Sequence, residues 1–86
     1  MKILGLKNIY REESYIYYRR KFSGTADFEV PGQTMEANLD FIIETDPFGR
    51  KTVEIQLSNA LNYPVLPLKK ALQDFILIQD SEGKLP

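Results

Sequence analysis

Aromatic and basic side chains are concentrated in one short segment of the chain, residues 15–22. Six of them are the candidate binding residues: Tyr15, Tyr17, Tyr18, Arg19, Arg20 and Lys21. Tyrosine and arginine are enriched in protein interfaces because they bury a large area and keep a polar group. Tyrosine rings also stack on unpaired bases, while neighbouring cations bind phosphates. The segment therefore indicates a binding surface for a protein or for a single-stranded nucleic acid.

A third interpretation of the same segment is structural. Tyrosine is a good strand former, and cations on a strand can neutralise acids on neighbouring strands, here Asp27, Glu29 and Asp40. In an extended segment the even-numbered side chains 16–22 share one face, which we expect to join the core. That arrangement leaves Tyr15 and Tyr17 on the opposite, polar face of the sheet.

The composition excludes the commonest forms of catalysis. The chain has no histidine and no cysteine, so Ser–His and Cys–His nucleophiles are excluded and the usual metal ligands are missing. The five glycines are scattered and form no phosphate-binding loop. Four acids, Asp40, Glu44, Asp46 and Glu54, are expected on or beside an open sheet face, where nothing prepares them for acid–base chemistry. We predict a protein that is not an enzyme and needs no cofactor or metal ion.

The clearest element that could position these residues is a β-hairpin over residues 37–57. Apolar and polar residues alternate on both sides of Asp46-Pro47-Phe48-Gly49, whose composition suits a type I turn with a glycine bulge. With Asp46 opposite Arg50, the predicted pairs are Ile43 with Val53, Phe41 with Ile55, and Leu39 with Leu57. Turn chemistry and hydrophobic pattern thus predict the same register.

A second hairpin is predicted upstream, with Pro31-Gly32 at the centre of a type II turn. Its predicted pairs are Phe28 with Met35, Ala26 with Ala37, and Phe22 with Phe41. The upstream strand is expected to run from Ser14 to Val30, either unbroken or bent at a bulge near Gly24. Residues 3–10 suggest an additional edge strand.

The C-terminal segment has the periodicity of a helix. Apolar residues recur at Leu68, Ala71, Leu72, Phe75 and Ile76, Pro67 suits a first helical turn, and the helix should end near Asp80. Leu77 and Ile78 lie off this stripe, so residues 75–80 also admit an extended conformation. The predicted fold is α+β: an antiparallel meander of three to four strands with one C-terminal helix packed on the sheet. Phe41, Ile55, Leu72 and Phe75 are expected in its core.

Charge is distributed unevenly although the net charge is only −1. Residues 1–24 carry six positive and two negative side chains, whereas residues 25–60 carry two positive and seven negative ones. This asymmetry indicates either a basic binding face or neighbouring strands that neutralise one another.

Length and composition favour one small domain over residues 1–86. Without disulfides or a metal, association with a copy or a partner is the remaining source of extra stability. The absence of cysteine is consistent with the cytoplasm, and the N-terminal apolar stretch, interrupted by Lys7, is too short for a signal peptide. No apolar run approaches the roughly 20 residues of a membrane span, so no membrane contact is expected.

These observations lead to one functional hypothesis and one alternative. The first is a small non-catalytic interaction module, a homodimer or a subunit of an assembly, that contacts its protein partner through the aromatic and basic strand face. The alternative is a sequence-tolerant binder of single-stranded DNA or RNA that uses the same six side chains.

Overall fold

The computed structural model describes residues 1–86 as four strands followed by one helix. The strands are β1 (Lys2–Arg11), β2 (Arg19–Val30), β3 (Gln33–Thr45) and β4 (Lys51–Leu57), and the helix is α1 (Val65–Ser81). The strands form one antiparallel sheet in the order β1-β2-β3-β4. The predicted α+β meander with a C-terminal helix packed on it is confirmed.

The β3–β4 hairpin has the predicted register, including the three apolar pairs from Leu39–Leu57 to Ile43–Val53. The Asp46 N–H donates to the Arg50 carbonyl at 2.9 Å, and the Gly49 N–H donates to the Asp46 carbonyl at 2.9 Å. Gly49 has a φ of 84°, the left-handed conformation that the glycine bulge requires. Local turn chemistry is therefore sufficient to set this hairpin.

The β2–β3 hairpin is also confirmed, with its turn at Pro31 and Gly32, and Phe28 pairs with Met35 and Phe22 with Phe41 as predicted. The expectation that the strand begins at Ser14 is wrong, because β2 begins at Arg19. β1 ends at Arg11, and residues 12–18 are the connection that lets β1 and β2 pair antiparallel.

The irregularity predicted at Gly24 lies instead on the neighbouring strand. β2 is continuous through Gly24, whereas β1 shifts register between Lys7 and Tyr10, and Asn8 has a φ of 54°. A Cβ added to Gly24 would clash with the Ile9 side chain and lie 3.1 Å from the Ile9 Cα. Glycine is therefore required here by the close approach of the bulged strand.

Helix α1 settles the ambiguity over residues 75–80, which are helical. Leu68, Leu72 and Ile76 are fully buried against the sheet. Phe75 was expected in the core but is only half-buried, because the buried stripe follows Leu68, Leu72 and Ile76 at intervals of four residues.

One cluster of 13 buried apolar residues forms the core, and it contains Phe41, Ile55 and Leu72 as predicted. Phe22 and Phe41 stack at its centre, with ring centroids 4.9 Å apart. The helix backbone comes within 8 Å of the two edge strands, β4 and β1, but of neither central strand. This arrangement indicates that the sheet curls around the helix.

Candidate interaction surface

The structure separates the six predicted binding residues into two groups. Tyr15, Tyr17 and Tyr18 lie on the β1–β2 loop, residues 12–18, at one end of the sheet. Arg19, Arg20 and Lys21 form the start of β2. The prediction that Tyr15 and Tyr17 stand on a polar strand face is therefore wrong: they project from the end of the sheet.

Local hydrogen bonds hold this loop out of the strand conformation. The Ile16 N–H donates to the Ser14 Oγ at 3.1 Å, and the Arg19 N–H donates to the Ile16 carbonyl at 3.2 Å. Such local bonds compete with sheet pairing, and here they outweigh the strand propensity of the tyrosines. The Thr45 N–H donates to the Tyr18 carbonyl at 2.9 Å, which ties the loop to the end of β3.

The loop tyrosines are unusually exposed. Tyr15 is fully exposed, Tyr17 is 93% exposed and Tyr18 is 49% exposed. The Tyr17 and Tyr18 rings meet edge to face, with centroids 5.7 Å apart and planes at 88°. Edge-to-face contact is a favourable geometry for aromatic rings, so the two neighbours present one joint aromatic surface.

Each of the three cations that follow has a carboxylate partner. The Arg19 Nε lies 3.4 Å from the Glu44 Oε1, within ion-pair distance but without hydrogen-bond alignment. The Lys21 Nζ lies 3.6 Å from the Glu12 Oε2. Both pairs are partly exposed and are therefore screened by solvent. The acids that neutralise this segment are not Asp27, Glu29 and Asp40, as the structural interpretation expected.

Arg20 belongs to a partly buried ionic cluster beneath the helix end rather than to the open surface. Its Nη1 and Nη2 atoms donate to the two Asp80 carboxylate oxygens at 2.8 and 2.9 Å, and the Lys51 Nζ donates to the same carboxylate at 2.7 Å. The Asp80 side chain is only 7% exposed. Hydrogen bonds from Arg20 and then from Lys51 lower the pKa of Asp80 to about 2. The cluster fastens the end of α1 to β2 and β4.

The pairing of strands also neutralises part of the charge asymmetry seen in the sequence. The Lys7 Nζ on β1 lies 3.2 Å from Asp27 on β2 and 3.0 Å from Glu36 on β3. Side-chain hydrogen bonds to Glu36 and then to Asp27 raise the pKa of Lys7. Basic and acidic segments of the chain thus meet as neighbouring strands.

The β3–β4 turn supplies an exposed aromatic residue that sequence reasoning missed. Phe48 is 84% exposed at the tip of the turn, and the Arg50 guanidinium carbon lies 5.5 Å from its ring centroid. The signal was present in the sequence, since a phenylalanine in the middle of a tight turn has no strand face on which to be buried.

Asp46 makes this turn rigid. Its Oδ1 accepts hydrogen bonds from the Phe48 N–H at 2.8 Å and the Arg50 N–H at 2.9 Å, and its Oδ2 accepts one from the Arg50 Nε at 2.9 Å. The backbone hydrogen bond from Arg50 is the main cause that lowers the Asp46 pKa. Phe48 is therefore presented on a fixed support.

Loop and turn together define the surface that we call the aromatic end: Tyr15, Tyr17, Tyr18 and Phe48. Between loop and turn runs an open groove of about 870 Å³, whose walls include Tyr17, Tyr18, Pro47 and Arg50. Glu44 and Asp46 also line it. The groove combines aromatic walls with charges of both signs, as binding surfaces for proteins commonly do.

Two further features bear on the class of protein. No group of three or more carboxylates is arranged so that it could hold a metal ion. The structure contains no helix with the length and apolar character needed to cross a membrane.

Fold and surface define a small α+β protein built from a four-stranded antiparallel meander, a C-terminal helix and an aromatic end. The sequence matches the model of the BB-0187 family over residues 1–80, and the chain belongs to that family. No curated protein and no solved structure shows significant similarity to it.

Proposed function

We propose that this chain is a cytoplasmic, non-catalytic interaction module that binds a protein partner through its aromatic end. The observation that carries the proposal is the exposure of Tyr15, Tyr17 and Phe48 on two adjacent loops at one end of the sheet. An aromatic side chain buries roughly 150–250 Å² when it is covered. Three of them would account for more than half of the roughly 800 Å² that each partner buries in a standard protein interface.

The surrounding charges favour a protein over a nucleic acid as the partner. Binding to phosphates requires cations that are free to replace counterions. Arg19, Arg20 and Lys21 each already contact a carboxylate, and Arg20 is drawn toward the helix rather than toward solvent. The aromatic rings of the segment remain available while its cations are largely occupied.

The sheet edges offer a poorer docking site than the aromatic end. β1 is interrupted by two register shifts, which disturb the regular ladder that an added strand needs. On β4, the Gln73 Nε2 donates to the Val53 carbonyl at 3.0 Å, so the helix occupies part of that edge. These features support a contact made by side chains of the loops rather than by strand addition.

Site-specific photo-crosslinking tests the proposal. A photoreactive phenylalanine analogue would replace Tyr17 in one variant and Leu66 in a control, and both would be expressed in the cells from which the chain comes. Leu66 is 80% exposed at the start of α1. It lies roughly 21 Å along the helix from Asp80, which is held at the aromatic end.

We expect a discrete crosslinked product from position 17, identified by mass spectrometry as this chain or another, and none from position 66. Replacing Tyr15 and Phe48 by serine in the position-17 variant should remove that product. Equal products from both positions, or no product from position 17, would refute the proposed contact surface.

A further inference from the structure

The groove of the aromatic end has a complementary projection directly beside it. Phe48 stands at the tip of the β3–β4 turn, and Arg50, which packs over its ring, also lines the groove. The opposite wall is formed by Tyr17 and Tyr18. A surface that carries both a projecting apolar ring and an aromatic groove is self-complementary under a twofold rotation.

The charges along the groove are also self-complementary. Glu44 and Asp46 supply negative charge and Arg50 supplies positive charge. Within one chain the Arg50 Nε is paired with Asp46, while Glu44 makes only the poorly aligned contact with Arg19. Glu44 therefore retains the capacity to accept a well-aligned hydrogen bond from a guanidinium.

We infer that a second copy of this chain occupies the groove as a twofold dimer: Phe48 of each copy is seated against Tyr17 and Tyr18 of the other, and Arg50 faces the partner subunit's Glu44. This inference rests on the proposed function, because it names the partner of the same surface. The small size of the domain, which limits its own core, agrees with stabilisation by a copy of itself.

The rigid turn makes this contact physically reasonable. Asp46 holds the turn by three hydrogen bonds, so little conformational entropy remains to be lost when Phe48 is covered. A pre-organised aromatic residue next to an arginine is typical of the residues that dominate interface energies.

Sedimentation velocity of the full chain over a series of concentrations tests the role of Phe48. The wild-type chain should show a monomer–dimer equilibrium, and Phe48→Ser should raise its dissociation constant at least about tenfold. Leu66→Ser is the matched control, since Leu66 is 80% exposed and Phe48 is 84% exposed, and it should leave the constant unchanged.

A charge exchange tests the twofold geometry. Glu44→Arg and Arg50→Glu should each weaken the homodimer, because each places like charges across the axis. An equimolar mixture of the two variants should form heterodimers, since both contacts then join opposite charges, and native mass spectrometry separates the masses. The exposed pairs that these changes remove contribute little to folding, which circular dichroism verifies.

A wild-type chain that stays monomeric at all concentrations would overturn the inference. So would a dimer that Phe48→Ser leaves intact, or a mixture that forms no heterodimer. A position-17 crosslink to a different protein would likewise refute the second copy as partner while leaving the proposed function in place.

Discussion

Asp80 is the residue at which the strongest electrostatic contacts of the molecule converge. Its carboxylate receives two hydrogen bonds from Arg20 and one from Lys51, and its side chain is nearly buried. An acid in the last turn of a helix is unfavourable with respect to the helix dipole. The two cations from β2 and β4 compensate for it, so Asp80 joins the helix end to both sides of the sheet.

Asp80→Asn should therefore lower the free energy of unfolding by about 2–4 kcal/mol at neutral pH, because it leaves two cations without their partner. Urea denaturation measures the change. Asp74→Asn is the control: its pair with Lys70 is exposed and should be worth less than about 0.5 kcal/mol. A loss for Asp80→Asn no larger than that of the control would contradict this role.

The same carboxylate predicts a pH dependence of stability. The pKa of Asp80 is lowered from 3.8 to about 2 in the folded state, so its stabilising contribution is complete above the unfolded pKa and is lost as pH falls through the folded pKa. The difference in unfolding free energy between wild type and Asp80→Asn should fall by about half between pH 7 and pH 3. An unchanged difference at pH 3 would show that the carboxylate charge is not its source.

Among the strands and the helix, the contact between β1 and β2 depends on a missing side chain. The register shift in β1 brings Ile9 over Gly24, where no Cβ can be accommodated. The bulge bends the edge strand toward the helix, and Ile9 packs against the core.

Gly24→Ala should cost about 1–3 kcal/mol of unfolding free energy, because the added methyl group overpacks this contact. Ile9→Ala should relieve part of that cost, so the double variant should be destabilised by less than the two single changes combined. Thermal or urea unfolding measures all three variants. Gly5→Ala, where a Cβ meets nothing within 4 Å, is the control and should be nearly neutral. Strictly additive effects would place the conflict elsewhere.

Over the molecule as a whole, the long axis of 42 Å follows the central hairpin, so the aromatic end is far from the start of α1. The loop and turn that build this end come from opposite halves of the sheet and meet only because β2 and β3 pair along their full lengths. The resulting surface is aromatic rather than basic.

This surface should bind single-stranded nucleic acid poorly. Fluorescence anisotropy of labelled oligonucleotides should show no saturable binding at physiological salt, because the cations of β2 are paired. The matched control is Arg19→Glu with Lys21→Glu, which spares the Arg20 cluster. Tight binding by the wild type, with a salt slope of about 0.7 for each contacted phosphate and loss in the control, would favour the nucleic-acid alternative.

Both tight hairpins and the helix follow from local sequence alone. Asp46-Pro47-Phe48-Gly49 and Pro31-Gly32 encode their turns in adjacent residues, and apolar alternation sets each register without reference to the rest of the chain. The stripe through Leu68, Leu72 and Ile76 likewise defines the buried face of α1 from its spacing.

Long-range packing sets the features that local signals do not contain. Strand propensity placed Tyr15 and Tyr17 on the sheet, but the antiparallel return of β1 required a loop there and moved them to its end. Arg20 and Asp80 are 60 residues apart in sequence, so no local pattern could pair them. The candidate surface depends on such long-range contacts, because it is assembled from a loop and a turn that become neighbours only when the sheet has formed.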